Sequence, residues 1–563
     1  MPDQQFLLFF EQYHEDELRS RPVHASRMGD HRFDDQIEDL SAEARTDRLA
    51  NRKRTLARLE SEIPYDQLSR ASQIDYEVFR HDLREGIWLE ENLRPFEEDP
   101  RIYNEYLTGS VYCLLTQSSL PPEINISNAV ARMRRLPAVV AVAQTTLTSP
   151  PLPVLETSIV QNRGVIDFYE KGIYDLVGDT PQLTAVRKAA GELLPHLSRH
   201  QEFLENDLRA RATTDWRLGS EKFDRKLQFA VNAGITAREV LQRAESEFER
   251  VTSEMAVVSR QLWGTCFPGR ALPPEDDSGR HQRITEVLAV IGREHGEPEN
   301  LLADARATVD RLKTFITDKD ILRLPKPDRC ELTEMPEFHR GNSLAYIQPA
   351  PPLDPDNTTI YAISPPPADW DPDRVESFLQ EYNRHMLQIL TIHEAYPGHY
   401  VQLAYHNREK SPVRRLLHSG VFIEGWAVYT EQMMLDQGYG DGDLALRLTQ
   451  LKFYLRAVAN AILDHRMHCL SMSDAEALDF LMTRSFQSEG EARLKIVRSK
   501  QSTVQLSTYF VGRMALHELR QNIQREEGDD FDLGRYHEAV LSNGSLPVKY
   551  LDEVVRERLR QPR

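Results

Sequence analysis

The sequence predicts a mainly α fold, a large helical body with a deep cleft and a small β-sheet or hairpin near the candidate site. Two observations support this prediction. Apolar residues recur at helical spacing through most of the 563 residues, and only the stretch 325–372 combines crowded prolines with β-rich runs. A chain of this length can bury a large core. Because the β-rich stretch is short, we expect helices to form the framework.

The composition is that of a soluble globular protein, with 40% hydrophobic and 28% charged residues. The formal net charge of −19 argues against a nucleic-acid or anionic-membrane partner, since both require a basic surface. No apolar run approaches the roughly 18 residues of a membrane span, and the N-terminus lacks a signal-peptide pattern. The four cysteines have no paired spacing, which favours a reducing compartment, so we expect a cytoplasmic protein.

Residues 1–324 are predicted to form an N-terminal helical region. The segment 41–62 begins at Ser41, a residue type that caps helix N-termini. Residues 236–263 and 298–318 repeat apolar side chains along one helical face. These segments predict long amphipathic helices that pack their apolar faces into a core.

Proline-rich pieces interrupt the helical pattern. Those at 148–154 and 268–278 are predicted to be surface loops that join helices. The stretch 325–372 holds so many prolines that a helix is excluded there. Within it, residues 343–347 and 358–363 are β-rich and are separated by turn-forming residues, which predicts a small hairpin or sheet.

Residues 373–563 are predicted to form a second helical region that carries the candidate site, and we expect the three regions to make one integrated body. Asp373 is predicted to cap a helix that continues to His393. Two later helix starts have the spacing of a capping box: Ser473 with Glu476, and Ser488 with Glu491.

The chemistry of the chain centres on a string that runs His-Glu-Ala-Tyr-Pro-Gly-His from His393 to His399. Imidazoles bind zinc, and a carboxylate beside the first of them, Glu394, can take a proton from water. In the common His-Glu-x-x-His pattern the two histidines are four residues apart on one helix face. Here the interval is six, which places His399 roughly 120° from His393 on a straight helix.

Pro397 and Gly398 supply a way to bring the two imidazoles together. Proline removes a backbone donor and clashes with the preceding turn, and glycine allows the backbone to bend. We therefore predict a kink or bulge between Ala395 and His399 that absorbs two residues. The alternative is a helix that ends at Tyr396 and carries two ordinary histidines.

A third ligand is predicted in the apolar segment 422–431, which carries two carboxylates. Glu424 requires a partner if the segment is buried, because a buried unpaired acid is costly. Glu431, seven residues later on a similar face, is either an alternative ligand or a carboxylate that supports a ligand. If Glu424 is instead half-exposed, it is an ordinary surface acid. Two histidines and one glutamate form the open ligand set of one catalytic zinc ion, and Mn²⁺ or Co²⁺ also accepts these groups.

The strings 393–399 and 424–431 resemble a large bacterial family described as domain of unknown function 885. Its members are similar to helical, gluzincin-type zinc metallopeptidases, notably the carboxypeptidase Taq type and, more distantly, the oligopeptidases. The similarity covers nearly the whole chain, with matches to the opening of the family at 21–41 and to its closing turn at 543–547. The chain departs from the family at Thr503-Val504, where members usually have Pro-Gly, and at Tyr400, where they often have histidine.

Further strings of the family imply additional site residues. These residues lie on an Arg…Asp-x-x-x-His helix and in the segment after it: Arg456, Asp464 and His468, then Arg498, Gln505 and Tyr509. The resemblance implies Tyr509 and His468 as oxyanion donors, and Arg498 or Arg456 as the anchor for a substrate carboxylate. A structural role in a buried polar network is an equal alternative for each of them.

The residues and the resemblance together predict a zinc metallopeptidase that hydrolyses short or unfolded peptides in the manner of a carboxypeptidase or oligopeptidase. Glu394 is the expected general base. A competing reading is a non-catalytic helical scaffold that binds peptides. A third is a zinc hydrolase of non-peptide amides or esters, which the same residues could serve. The choice between terminal and internal cleavage, and the oligomeric state, are left open.

Overall fold

The computed structural model describes residues 1–335, 345–367 and 369–561. The predicted fold class is confirmed in one respect: these residues are mainly helical, with a small three-stranded sheet. Within the described ranges, no helix combines the length and the apolar character needed to cross a membrane. The strands are β1 (Cys330–Glu334), β2 (Ala345–Gln348) and β3 (Thr359–Ile363).

The α-helices before residue 217 are α1 (Pro2–Ser20), α2 (Pro22–Met28), α3 (Ala42–Glu62), α4 (Arg70–Leu93), α5 (Pro95–Glu98), α6 (Arg101–Thr116), α7 (Pro122–Met133), α8 (Leu136–Thr146), α9 (Leu152–Asp167), α10 (Ile173–Val177) and α11 (Leu183–Glu202). Those that follow are α12 (Ser220–Val231), α13 (Ala237–Cys266), α14 (Asp277–Gly292), α15 (Leu301–Asp318), α16 (Pro372–Glu381), α17 (Arg384–Glu394), α18 (His399–His406), α19 (Pro412–Leu416), α20 (Gly420–Asp436), α21 (Leu444–Cys469), α22 (Asp474–Asp479), α23 (Glu489–Gln501), α24 (Gln505–Glu527), α25 (Leu533–Leu541) and α26 (Leu551–Arg560).

The chain forms two compact units. One consists of Met1–Trp216, Ala350–Asn357 and Lys410–Leu417, and the other of Arg217–Pro349, Thr358–Glu409 and His418–Arg563. The core of the first is built from buried apolar side chains of α6 to α9 and α11. In the second, α13 packs along α21 and α20 packs along α24, while α17 contacts both α20 and α21. All the predicted site residues belong to the second unit.

The helix starts follow local capping chemistry. Ser41 accepts a hydrogen bond from the Ala44 amide and caps α3, as predicted. The predicted helix 236–263 is α13, whose first turn has a full capping box between Thr236 and Glu239. Ser473 and Ser488 cap α22 and α23, so those predictions are confirmed as well.

Two predicted boundaries are wrong because proline suits the first turn of a helix. The predicted loop 148–154 ends earlier, since α9 begins at Leu152 with a proline in its first turn. The cap before the site is Asp371 rather than Asp373, because Pro372 takes the first helical position. The helix then breaks, and the Asn383 carboxamide oxygen accepts hydrogen bonds from two amides at the start of α17.

The sheet has the strand order β1-β3-β2. Strands β2 and β3 pair antiparallel, with Tyr346 opposite Ala362, which confirms the predicted pairing of the two β-rich runs. Residues 343 and 344 of the first run lie outside the described residues. Strand β1, which the sequence analysis did not predict, pairs parallel with β3. Its five residues, Cys-Glu-Leu-Thr-Glu, are too few and too polar for a clear period-two pattern, so local sequence carries little signal for it.

Two glycines set the closest approach between α20 and α24. A Cβ atom on Gly512 would lie 2.0 Å from the Val421 carbonyl oxygen, and one on Gly425 would lie 2.3 Å from the Gly512 carbonyl carbon. Neither distance is sterically possible, so only glycine at both positions allows the two backbones to meet. This contact holds the N-terminal half of α24 beside α20.

We expect Gly512→Ala to destabilise the second unit by about 1–3 kcal/mol, because the added methyl group must push α24 away from α20. Gly264→Ala is the matched control, since Gly264 lies inside α13 with no atom within 4 Å of an added Cβ. Differential scanning calorimetry should show a lower unfolding temperature for Gly512→Ala and an equal or higher one for Gly264→Ala. If Gly512→Ala unfolds at the wild-type temperature or above, the helix contact is not as tight as described.

Candidate metal centre

The helix that carries the two histidines is interrupted, as the sequence predicts. Helix α17 ends at Glu394 and α18 begins at His399. Across the gap the Gly398 amide donates to the Ile392 carbonyl oxygen, six residues back, at 3.0 Å. An α-helix joins residues four apart, so this bond absorbs two extra residues. A Cβ atom on Gly398 would lie 1.9 Å from the His393 carbonyl oxygen, which explains why glycine stands there.

Side chains from other elements fix the interruption in place. The Trp426 indole donates to the Pro397 carbonyl oxygen at 2.9 Å. The hydroxyls of Tyr396 and Tyr400 both donate to Asp328 Oδ1, at 2.7 and 2.8 Å. Tyr400, where family members often have histidine, therefore supports the turn rather than the ligand set. Sequence analysis missed Asp328 because it lies far from the motif in the chain.

The interruption brings His393 and His399 to one point. Their ring centroids are 4.8 Å apart with the rings perpendicular, so the predicted convergence is confirmed. Glu424 of α20 completes the group, and one ligand atom from each of the three residues lies within 4.8 Å of the others. Zinc ligands with bonds of about 2.0–2.1 Å are about 3.4 Å apart, so small side-chain rotations would close the set around one ion.

Glu431 lies behind His393 rather than in the ligand group. Its Oε1 accepts a hydrogen bond from His393 Nδ1 at 2.7 Å, and its side chain is fully buried. Metal-binding histidines commonly donate their second ring nitrogen to a carboxylate in this way. The bond leaves Nε2 of His393 as the atom available to an ion. Burial lowers the pKa of His393 to about 3, so the imidazole is in the neutral form that binds metals.

Glu394 directly follows the first ligand and ends α17. Burial raises its pKa to about 7; the charge of His399 opposes the shift, and that of Glu424 adds to it. A carboxyl group with such a pKa can both accept and return a proton near neutral pH. The structure therefore gives Glu394 an environment consistent with its predicted role.

Tyr509, Gln505 and Arg498 are brought to the edge of the ligand group. Burial disfavours the charged form of Glu424, but His399, His393 and the nearby Tyr509 hydroxyl together hold the pKa of this carboxyl below its usual range. Gln505 Nε2 and Arg498 Nη2 each donate to the Tyr509 hydroxyl at 3.2 Å. Arg498 also donates to Gln505 Oε1 at 2.8 Å. These three predicted residues therefore form one polar group that adjoins Glu424.

His468 is not part of this arrangement. Its Nε2 meets the Ser499 carbonyl oxygen at 2.8 Å, and its Nδ1 accepts from the Leu218 amide at 3.3 Å. It lies fifteen residues along α21 from Phe453, the residue whose ring contacts His393, and this interval spans about 22 Å of helix. Both ring nitrogens of His468 thus bind backbone atoms. This is a structural role, the alternative to oxyanion donation that the sequence analysis left open.

Asp464 also has backbone and hydroxyl partners. It accepts hydrogen bonds from the Val504 amide at 3.1 Å and the Ser507 hydroxyl at 3.0 Å, and so holds the start of α24. Val504 has a φ of 76°, a left-handed conformation that is strained for a β-branched residue. The family usually has glycine at this position, where the same φ costs little.

Arg456 is engaged by two carboxylates. It forms an ion pair with Glu491, and a second with Glu381 at 3.7 Å. Lys452 also binds Glu381, at 2.8 Å. The structure therefore separates the two arginines that the sequence analysis left as alternatives: Arg456 is paired with protein carboxylates, and Arg498 contacts neutral groups.

The fold and the site define a mainly α protein in which two buried histidines and a glutamate with 24% of its side chain exposed form a group that could hold a metal ion. The chain belongs to the bacterial family of proteins of unknown function DUF885, which matches residues 22–555. No match was found among functionally curated proteins.

Two solved structures are similar to this chain over nearly their full lengths. One is described as a “putative lipoprotein of unknown function” from Shewanella oneidensis, with 29% identity, a TM-score of 0.82, and coverage of 98% of this chain and 99% of that one. The other is described as a “putative lipoprotein” from Colwellia psychrerythraea, with 18% identity, a TM-score of 0.78, and 99% of each chain covered. Because the identity is only 18%, the second similarity shows a shared fold and nothing more.

The geometry predicts an order of metal loss among three carboxylate variants. Glu424→Ala removes a ligand and should lose nearly all bound metal, whereas Glu431→Ala removes only the support of His393 and should weaken affinity by about 10–100-fold. Asp436→Ala, an exposed acid of the same helix paired with Arg447, should match the wild type. The measurement is metal content by mass spectrometry during titration with a chelator. If Glu424→Ala keeps its metal and Glu431→Ala loses it, Glu431 is the ligand and Glu424 is the supporting carboxylate.

Proposed function

We propose that the protein is a metal-dependent peptidase that uses one zinc ion held by His393, His399 and Glu424. The observation that carries the proposal is the ligand group together with the Glu431 carboxylate that orients His393. Three protein ligands leave a coordination position open, as catalytic zinc sites do. Mn²⁺ or Co²⁺ would fit the same nitrogen and oxygen donors.

His393, His399 and Glu424 would hold the ion, and its Lewis acidity would polarise a substrate carbonyl and lower the pKa of water. Glu394, which directly follows His393 at the end of α17, accepts a proton from the attacking water and returns it to the leaving amine. We assign Tyr509 as a donor to the oxyanion, since its hydroxyl lies near enough to Glu424 to affect the pKa of that carboxyl. His468 takes no part in the reaction, because backbone groups occupy both of its ring nitrogens.

Glu394→Gln tests this proposal, because it removes basicity while it keeps the shape and size of the side chain. We expect the variant to retain its metal and its fold, and to lose peptidase activity by about 10²–10⁴-fold, the usual contribution of a general base. The assay follows product formation from peptides by mass spectrometry, with metal content measured on the same samples.

Equal turnover by the wild type and Glu394→Gln would contradict the mechanism. A metal-replete wild type that cleaves amides or esters but no peptide would restrict the proposal to a non-peptide hydrolase. If it cleaves none of these substrates, the proposal of an enzyme would give way to the alternative of a non-catalytic scaffold that binds peptides.

A further inference from the structure

A cavity of about 820 Å³ lies in the second unit, between α13, α14 and the segment 480–486. Pockets for small molecules usually occupy about 300–1,000 Å³, so this cavity is large enough to hold one. Among the described residues, its lining includes no member of the candidate metal group. The cavity is therefore a second candidate binding site, and the proposed function gives it no role.

Arginines on one side of this cavity outnumber the carboxylates that pair with them among the described residues. Glu275 Oε1 pairs with Arg283 at 3.0 Å and with Arg260 at 3.2 Å. Glu275 Oε2 lies 3.8 Å from Arg280. A second acid, Asp277, is fully exposed and lies 4.0 Å from Arg280, where water screens the pair. Three guanidinium groups therefore share one close carboxylate, which favours an added anion in this part of the cavity.

Arg283 is the fixed member of this arginine group. Its side chain is only 2% exposed, its Nη1 donates to Glu275, and its Nη2 donates to the Ala256 carbonyl oxygen at 3.2 Å. Its buried Nε has no hydrogen-bond partner among the described residues. Because a buried donor without a partner is costly, this part of the protein lacks an acceptor as well as a negative charge.

The other side of the cavity presents aromatic rings. His281 and Phe486 stack with their centroids 5.0 Å apart and their planes 18° apart, and both are partly exposed. Phe486 has a φ of 56°, a left-handed conformation that is unusual for a bulky residue and is found at ligand-binding positions. Arg484, just before it, is paired with Glu249 at 2.6 Å and adds no net charge. The partly exposed ring pair offers a stacking surface to a further planar group.

Helix α14 separates the arginine side from the aromatic side. Four of its residues line the cavity: Arg280, His281, Arg283 and Ile284. At about 100° per residue, Ile284 falls between Arg280 and His281 on the helix face. Arg283 falls beyond Arg280, away from His281. A ligand that contacts both sides therefore has an anionic group and a planar ring joined by a spacer. A nucleoside monophosphate has this form, since ribose lies between its base and its phosphate.

We propose that this cavity binds a nucleoside monophosphate, with its phosphate at the arginines that share Glu275 and its base against Phe486. Guanidinium groups match phosphate oxygens in charge and geometry. Aromatic side chains stack on bases of every type, so the site accepts the class rather than one base. The inference is independent of the proposed function, because it uses no residue of the candidate metal group. A phosphorylated tyrosine has no spacer between its ring and its phosphate, and the experiment distinguishes it.

Isothermal titration calorimetry with AMP tests the inference, and adenosine, inorganic phosphate and phenyl phosphate serve as comparisons. We expect one AMP to bind per chain, at least about 10-fold more tightly than each of the other compounds, because only AMP joins a base to a phosphate through a spacer. The affinity should fall as the salt concentration rises, since the phosphate contact is electrostatic.

Arg280→Ala and Phe486→Gly each remove one side of the site, and each should lower the affinity for AMP by at least about 10-fold. Glycine adopts the left-handed conformation of Phe486 without strain, so we expect this variant to stay folded, as its unfolding temperature will show. Arg243→Ala is the control for the arginine variant. Arg243 lies on α13, pairs with Glu518, and has the same exposed fraction as Arg280, 51%. It should bind AMP as the wild type does.

No binding of AMP, or an unchanged affinity in Arg280→Ala, would overturn the inference. AMP that binds at the candidate metal group instead would keep its affinity in both variants, so this outcome also counts against the cavity. Equal affinity for AMP and inorganic phosphate would show a simple anion site, and tighter binding of phenyl phosphate would indicate a phosphotyrosine site. Either result would overturn the nucleotide assignment. If Phe486→Gly does not fold, Arg280→Ala and the comparison of ligands decide.

Discussion

His393 and His399 can meet at one point only because two extra residues interrupt the helix between them. The Gly398 amide reaches back to the Ile392 carbonyl oxygen, and no residue with a Cβ atom fits at that position. The Trp426 indole then holds the Pro397 carbonyl oxygen from the neighbouring helix. Because Trp426 lies two residues after Glu424, the side chain that fixes the turn and the third ligand come from the same segment of α20.

The electrostatics of the site follow from this convergence. Three carboxylates, those of Glu394, Glu424 and Glu431, surround two imidazoles in a largely buried volume. Burial raises the pKa of Glu394, and it raises that of Glu431 well above its usual range. Buried acids at such density are costly unless a cation compensates for them. A divalent ion between the imidazoles and Glu424 would provide that compensation, which favours the proposed metal centre over a polar network.

Several parts of the fold and the site could be predicted from sequence because their causes are local. Ser41 caps its helix through its own hydroxyl, and the angular mismatch between His393 and His399 requires a break that Pro397 and Gly398 allow. Glu424 was predictable because an acid in an apolar helix needs a partner. These inferences depend on residues that are neighbours in the chain.

The remaining parts depend on contacts between distant segments, which local patterns do not reveal. Asp328 supports the turn from a position about seventy residues before it, and Glu491 neutralises Arg456 from another helix. The same limit applied to His468: its position on a helix with Arg456 and Asp464 was predicted, but its backbone partners were not. Strand β1 was missed because its pairing with β3, rather than its own sequence, makes it a strand.

The central claim is that one ion is bound by His393, His399 and Glu424. It is tested most directly by anomalous X-ray diffraction on crystals of the zinc-loaded protein, with data collected on both sides of the zinc absorption edge. The account predicts one strong anomalous peak, about 2.0–2.2 Å from a ring nitrogen of each histidine and from an oxygen of Glu424. Zinc bound by other residues, or no anomalous peak at this group in zinc-loaded crystals, would contradict the claim.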